Sequence, residues 1–146
     1  MVLVIIGIAA AVVIPNAMST ASFQATSAAR ITATDLQYAQ DTAITSQTPV
    51  TVTFNVGNES YALSNASGTL IHPITKAVYV TDFGTLEGFS EVDIVSASFG
   101  GAAVVTFDEM GSPSQAGTVN LRAGEHAYRL VVAAATGKVT VTRTGP

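Results

Sequence analysis

STASFQATSAARITATDLQYAQDTAITSQTPVTVTFNV, residues 19–56, contains a switch of hydrophobic period from that of a helix to that of a strand. Over residues 19–47, Ala25, Ala29, Thr32, Leu36, Ala39 and Ala43 recur at spacings of three and four, which is one face of an α-helix. The opposite side is read as polar, with Gln24, Ser27, Asp35, Gln40 and Asp41. The apolar face is made of small residues and is suited to close seating on a flat partner such as a sheet. Ala25, Ala29, Leu36, Ala39 and Ala43 are therefore the expected helix-on-sheet contacts. Pro49 stops the helix, because the residue before a proline is driven away from helical angles. Beyond it, Val50, Val52, Phe54 and Val56 alternate with Thr51, Thr53 and Asn55, the pattern of a half-buried strand.

The alternation continues downstream in short pieces. Gly57 and Asn58 mark a turn, and Tyr61 to Leu63 reads as the returning strand. Further β segments are expected at Val78–Val80, Val92–Phe99, Val104–Phe107, Val119–Leu121, Tyr128–Ala133 and Val139–Val141. Gly100-Gly101, Gly111-Ser112-Pro113, Gly124 and Thr136-Gly137-Lys138 separate the later pieces. Residues 64–91 read largely as loop. Many short strands after one helix imply an α+β chain with an antiparallel sheet assembly.

Upstream, residues 1–14 read MVLVIIGIAAAVVI, and no charged residue occurs before Arg30. A membrane-spanning helix needs about 20 mostly apolar residues. Residues 1–18 reach the lower end of that range, with Pro15 and Asn16 inside. Val, Leu and Ile in this stretch contribute about −3 to −5 kcal/mol to insertion. A cleaved signal peptide has an apolar stretch of similar length but also a positively charged start, which residues 1–14 do not provide. A buried core helix is the other alternative. A continuous helix over residues 2–47 would be about 70 Å long. A domain of ~100 residues has a radius of gyration of about 13 Å, so the first half must project from it. The expected division is a membrane or filament-core half at 1–22 and a globular domain at 23–146, with its helix at 23–47 and β-rich part at 49–146.

Composition excludes several functions. There is no Cys, so disulfides and thiolate metal sites are impossible. The formal net charge is −4, and four dispersed cations, Arg122, Arg129, Lys138 and Arg143, are a poor match to a phosphate backbone, so no nucleic-acid partner is expected. His72 and His126 have no metal-ligand spacing around them. Asp108 and Glu109, taken as strand neighbours, would point to opposite faces and could not share acid–base work. Asp82, Glu87, Glu91 and Asp93 show no calcium-loop pattern. No cofactor, metal or catalytic residue is expected, and the chain is read as not being an enzyme.

The order of apolar helix, proline, small-residue helix and β domain resembles the type IV pilins and the pseudopilins of type II secretion. MVLVIIGIAAAVVIPN, with Gly7 and Pro15 at the family's spacing, is similar to the pilin N-terminal helix. ITATDLQYAQDTAITSQTPVTVTF, VVTFDEMGSPSQAGTVNL and RLVVAAATGKVTVTR are similar to segments of the GspH/FimT group. The family's leader cleavage region and glutamate would lie just upstream of Met1, so the leader and the first few mature residues are expected there.

The resemblance implies a structural subunit held in the bacterial inner membrane and then extracted into a periplasmic or cell-surface filament with copies of itself or other pilins. It also implies a prepilin peptidase, an assembly platform, an ATPase and a methylated N-terminus. Expected packing residues in the membrane or filament are Val4, Ile5, Ile6, Gly7 and Ile8, followed by Ala11, Val12, Val13, Ile14 and Pro15. Pro15 clashes with the carbonyl of Ala11 at a cost of about 3 kcal/mol. Gly7 adds roughly 1 kcal/mol of weakness, and the resemblance implies a melted segment between the two in filaments.

Overall fold

A computed structural model describes residues 20–146. Among the described residues one long helix, α1, runs Thr20–Ser46. No proline or glycine interrupts it, and its interior is rich in alanine, which carries the smallest helical cost. Thr26 and Thr32 lie within it with their hydroxyls donating to the carbonyls of Ser22 and Ala28, at 3.0 and 2.9 Å. The helix ends where Gln47 turns left-handed, with φ 52°. There the Thr48 amide reaches back to the Ala43 carbonyl at 3.3 Å, a Schellman-type closure that Pro49 follows.

Among the described residues, nine antiparallel strands form two sheets. The first contains β1 (Val50–Asn55), β2 (Ser60–Asn65), β3 (Gly68–Thr69), β4 (Val80–Asp82) and β6 (Val104–Phe107). β1 sits between β2 and β6, and both β3 and β4 pair with the far edge of β2. The second sheet has the order β5-β7-β8-β9, from Val92–Phe99, Gly117–Ala123, His126–Val132 and Val139–Arg143. Val95 bulges out of the β5–β7 register between Ile94 and Ser96. A short 3-10 turn over Val56–Asn58 joins β1 to β2.

Alternation places the core. Val50, Val52 and Phe54 point inward from β1, Tyr61 and Leu63 from β2, and Val105 and Phe107 from β6. Ile94, Val119, Leu121, Leu130 and Val132 do the same from the second sheet. α1 packs on strands of both sheets, touching β1 and β6 on one side and β5, β7, β8 and β9 on the other. Ala25, Ala28, Ala29, Ala39 and Ala43 are each at most 1% exposed. Their small size lets the helix backbone approach the sheets closely, and Leu36 is the one large apolar side chain the helix buries fully. Enlarging a seat this tight must displace backbone. Ala39→Leu is expected to destabilise the fold by about 1–3 kcal/mol, read as a lower urea midpoint. An unchanged midpoint would show that the seat has slack.

Residues 64–91 are largely loop, with the short strands β3 and β4 set in them. The structure corrects three other readings of the sequence. The strand expected at Val78–Val80 is divided: Val80 begins β4 at Val80–Asp82, while Val78 forms an isolated antiparallel bridge with Ile71 across the turn between them. In that turn the Tyr79 amide bonds to the Leu70 carbonyl at 2.7 Å, and the His72 ring accepts from the amides of Ile74 and Thr75. Asp108 and Glu109 are in a turn after β6, where the Asp108 carboxylate accepts from the amides of Met110 and Ser112, both at 2.9 Å. Gln24 and Asp35, read as polar and outward, are both buried, at 5% and 7% exposure, at the edge of the packed face.

Candidate functional site

Asp35 is the buried carboxylate of α1. Its Oδ2 accepts from the Tyr61 hydroxyl at 2.5 Å and from Thr81 at 3.0 Å, and its Oδ1 accepts from Tyr79 at 2.7 Å. The three donors come from β2, from the residue before β4, and from β4 itself. One side chain thus ties the helix to the most irregular region of the first sheet. Burial raises the Tyr61 and Tyr79 hydroxyls above the ordinary tyrosine range, and the Asp35 charge and its hydrogen bonds push in the same direction. Tyr79 is held on its faces as well. It stacks on Tyr38 with ring centroids 5.1 Å apart and lies 4.5 Å from the His72 ring.

Gln24 does similar work in the N-terminal turns of the helix. Its side-chain carbonyl accepts from the Glu91 amide at 2.9 Å, just before β5. Near the C-terminal end, the Gln40 amide donates to the carbonyls of Gly111 and Thr136, at 2.8 and 2.7 Å. Polar side chains at the border of the helix face therefore bind loops of both sheets. Helical spacing contained this signal: Asp35 lies seven residues after Ala28 and four before Ala39, and Gln24 lies four before Ala28.

Beside Asp35 a groove of about 730 Å³ opens between the middle of α1 and residues 72–87. Arg30, Ile31 and Thr34 form its helix wall, and Asp35 is at its floor. Val78, Val80, Asp82, Leu86 and Glu87 form the opposite wall. Ile74, at 83%, and Val78, at 58%, are among its exposed apolar neighbours.

The remaining expectations fall as follows. Val4 to Ile8, Ala11 to Ile14 and Pro15 lie outside the described residues. Among the described residues, no helix is long and apolar enough to cross a membrane. Three of the four cations considered for nucleic acid are engaged locally: Arg122 bridges Asp93 at 3.3 Å, Arg129 donates to Asn120 at 3.1 Å, and Arg143 donates to the Gly145 carbonyl at 3.0 Å, while Lys138 is exposed just before β9. Among the described residues, no three His, Cys, Asp or Glu side chains come together in a way that could hold a metal ion.

No curated protein matches the chain. Solved structures do share its fold. The minor pseudopilin EpsH from the type 2 secretion system of Vibrio cholerae superposes with a TM-score of 0.64 at 14% identity, covering 84% of this chain and 99% of that one. The type IV minor pilin FimU of Pseudomonas aeruginosa (strain PAO1) gives 0.58 at 17% identity, covering 84% and 92%. Residues 28–137 match the family model of the type II transport protein GspH, which is well over half of the 146 residues. The helix, the two antiparallel sheets and that match agree: the chain belongs to the GspH family, whose members are pilin-like structural subunits and not enzymes.

Proposed function

We propose that this chain is a subunit of a type II secretion pseudopilus or type IV pilus-like filament, anchored in the inner membrane before assembly and polymerising through its N-terminal helix. The observation that carries the reading is the junction at Thr20. There a helix clamped to both sheets meets a stretch of sequence with no charged residue. The division into 1–22 and 23–146 belongs to this proposal, as do packing roles for Val4–Ile8, Ala11–Ile14 and Pro15. So do the roles of Ala25, Ala29, Leu36, Ala39 and Ala43 in holding the domain to the anchor.

In lipid the apolar stretch is solvated by acyl chains. In a filament it is buried against sister helices. Lipid tails are as apolar as Val or Ile, so burial alone favours neither state. Close contact at small residues such as Gly7, Ala9, Ala10 and Ala11 supplies the attraction. Extraction is then coupled to an ATPase and an assembly platform, after a prepilin peptidase has processed the N-terminus.

The test is a charge placed in the stretch. Ile6→Arg together with Val12→Arg costs roughly 2.5–3.5 kcal/mol per site against insertion. The double variant is expected to leave the membrane fraction and to disappear from sheared surface filaments, while the circular dichroism of its β domain is unchanged. A parent chain that is wholly soluble and never sediments with membrane or filament would end the proposal.

A further inference from the structure

Apart from its helix packing, the chain has a second surface with a definite chemistry, the groove beside Asp35. Its walls are apolar at Ile31, Val78, Val80 and Leu86, yet three carboxylates, Asp35, Asp82 and Glu87, face it against one cation, Arg30. Asp35 is 7% exposed, and its three bonded donors are all neutral hydroxyls. A carboxylate removed from water and given no counter-charge is poorly compensated, and a cation brought to it gains more than it would in water. Val78 of the groove wall is more than half exposed, as are Ile71 and Ile74, the chain neighbours of the wall residues His72 and Thr75. That apolar rim extends beyond what a small amine would cover, so it fits a chain segment better than a metabolite.

We propose that this groove docks another filament subunit through a segment that places a lysine or arginine between apolar side chains, with the cation directed at Asp35, Asp82 and Glu87. A second copy of this chain is a poor donor of such a segment. Arg30 belongs to the groove's own wall, and Lys76 stands in the chain between the wall residues Thr75 and Ala77. Arg122, Arg129 and Arg143 are engaged by Asp93, Asn120 and the Gly145 carbonyl, and Lys138, just before β9, lies between Gly137 and Val139 with Thr136 and Thr140 beyond them, not between apolar side chains. The proposal rests on the filament-subunit reading and adds the place and chemistry of one contact.

The experiment uses the full chain in cells that assemble it. A photoreactive benzoylphenylalanine replaces Val78, and crosslinked peptides from the membrane and filament fractions are sequenced. The expected product joins Val78 to another filament subunit, at a peptide carrying Lys or Arg among apolar residues. Asp82→Lys with Glu87→Lys is expected to cut that product at least tenfold. Reversing the partner's cation to Glu is expected to restore it. Products with lipid only, with residues 1–19 of the same copy, with a second copy, or with a peptide lacking a cation each overturn the proposal. So does a product that the charge reversal leaves intact, or no product at all from a chain that co-sediments with filaments. A chain that does not co-sediment with membrane or filament refutes the filament reading instead, and the docking proposal with it.

Discussion

Asp35→Ala is expected to cost the fold about 3–5 kcal/mol. Three hydroxyls converge on that carboxylate at 2.5, 2.7 and 3.0 Å, and removing it strands two buried tyrosine hydroxyls and one half-buried threonine. Hydrogen bonds to charged groups are worth roughly 1.5–3 kcal/mol each, partly offset because the buried charge itself disappears. In a domain of this size a loss of that order lowers the melting temperature by roughly 10–20 °C. Asp35→Asn should lose less, because the amide oxygen still accepts from one or two of the donors. Thermal unfolding followed by tyrosine circular dichroism ranks the three proteins. A loss below about 1 kcal/mol in the alanine variant, or asparagine proving worse than alanine, would remove the network from its place at the centre of this domain.

Alkaline pH should act on the same cluster from the other side. Tyr61 and Tyr79 have hydroxyls raised above their unfolded value, first by burial and then by the neighbouring Asp35 charge. A group raised in the fold contributes stability that is intact below its unfolded pKa, near 10 for tyrosine, and is lost as pH rises above it. In the unfolded chain both hydroxyls ionise above pH ~10, while the folded chain keeps them protonated. The unfolding free energy is therefore expected to fall by about 1.4 kcal/mol per tyrosine for each pH unit above 10. Two such groups exhaust a typical stability of 5–15 kcal/mol within a few units. Urea titrations at pH 7, 10 and 11 measure the slope. The double variant Tyr61→Phe with Tyr79→Phe should be flatter with pH, though less stable at pH 7. Identical slopes in the two proteins would contradict the assignment.

The helix and most strands were legible because their periodicity is carried by apolar residues that are also buried. Ala25 to Ala43 and Val50 to Phe54 are clear examples. Asp35 and Gln24 were misread for a physical reason. A polar residue at the edge of a helix face looks solvated in sequence; spacing sets Asp35 and Gln24 beside the alanine face, and partners distant in the chain, here Tyr61, Tyr79 and Glu91, are what bury them. The groove was illegible for the same reason, since Arg30 and Glu87 are 57 positions apart and meet only after β2 and β4 pair. The displaced strand at Val80–Asp82 reflects local competition. The backbone and His72 ring bonds within residues 70–79 close a turn that pairs Val78 with Ile71 and leaves Val80 to start β4, which the apolar neighbours of Val78 do not announce.

The seating of α1 across two sheets also has a mechanical consequence. A pull on Thr20 along the helix axis loads contacts to β1, β5, β6, β7, β8 and β9 together and is not borne by any one strand. The Gln40 bonds to Gly111 and Thr136 brace the far end of the helix against the same load. A handle built this way spreads tension from the helix over both sheets of the head at once.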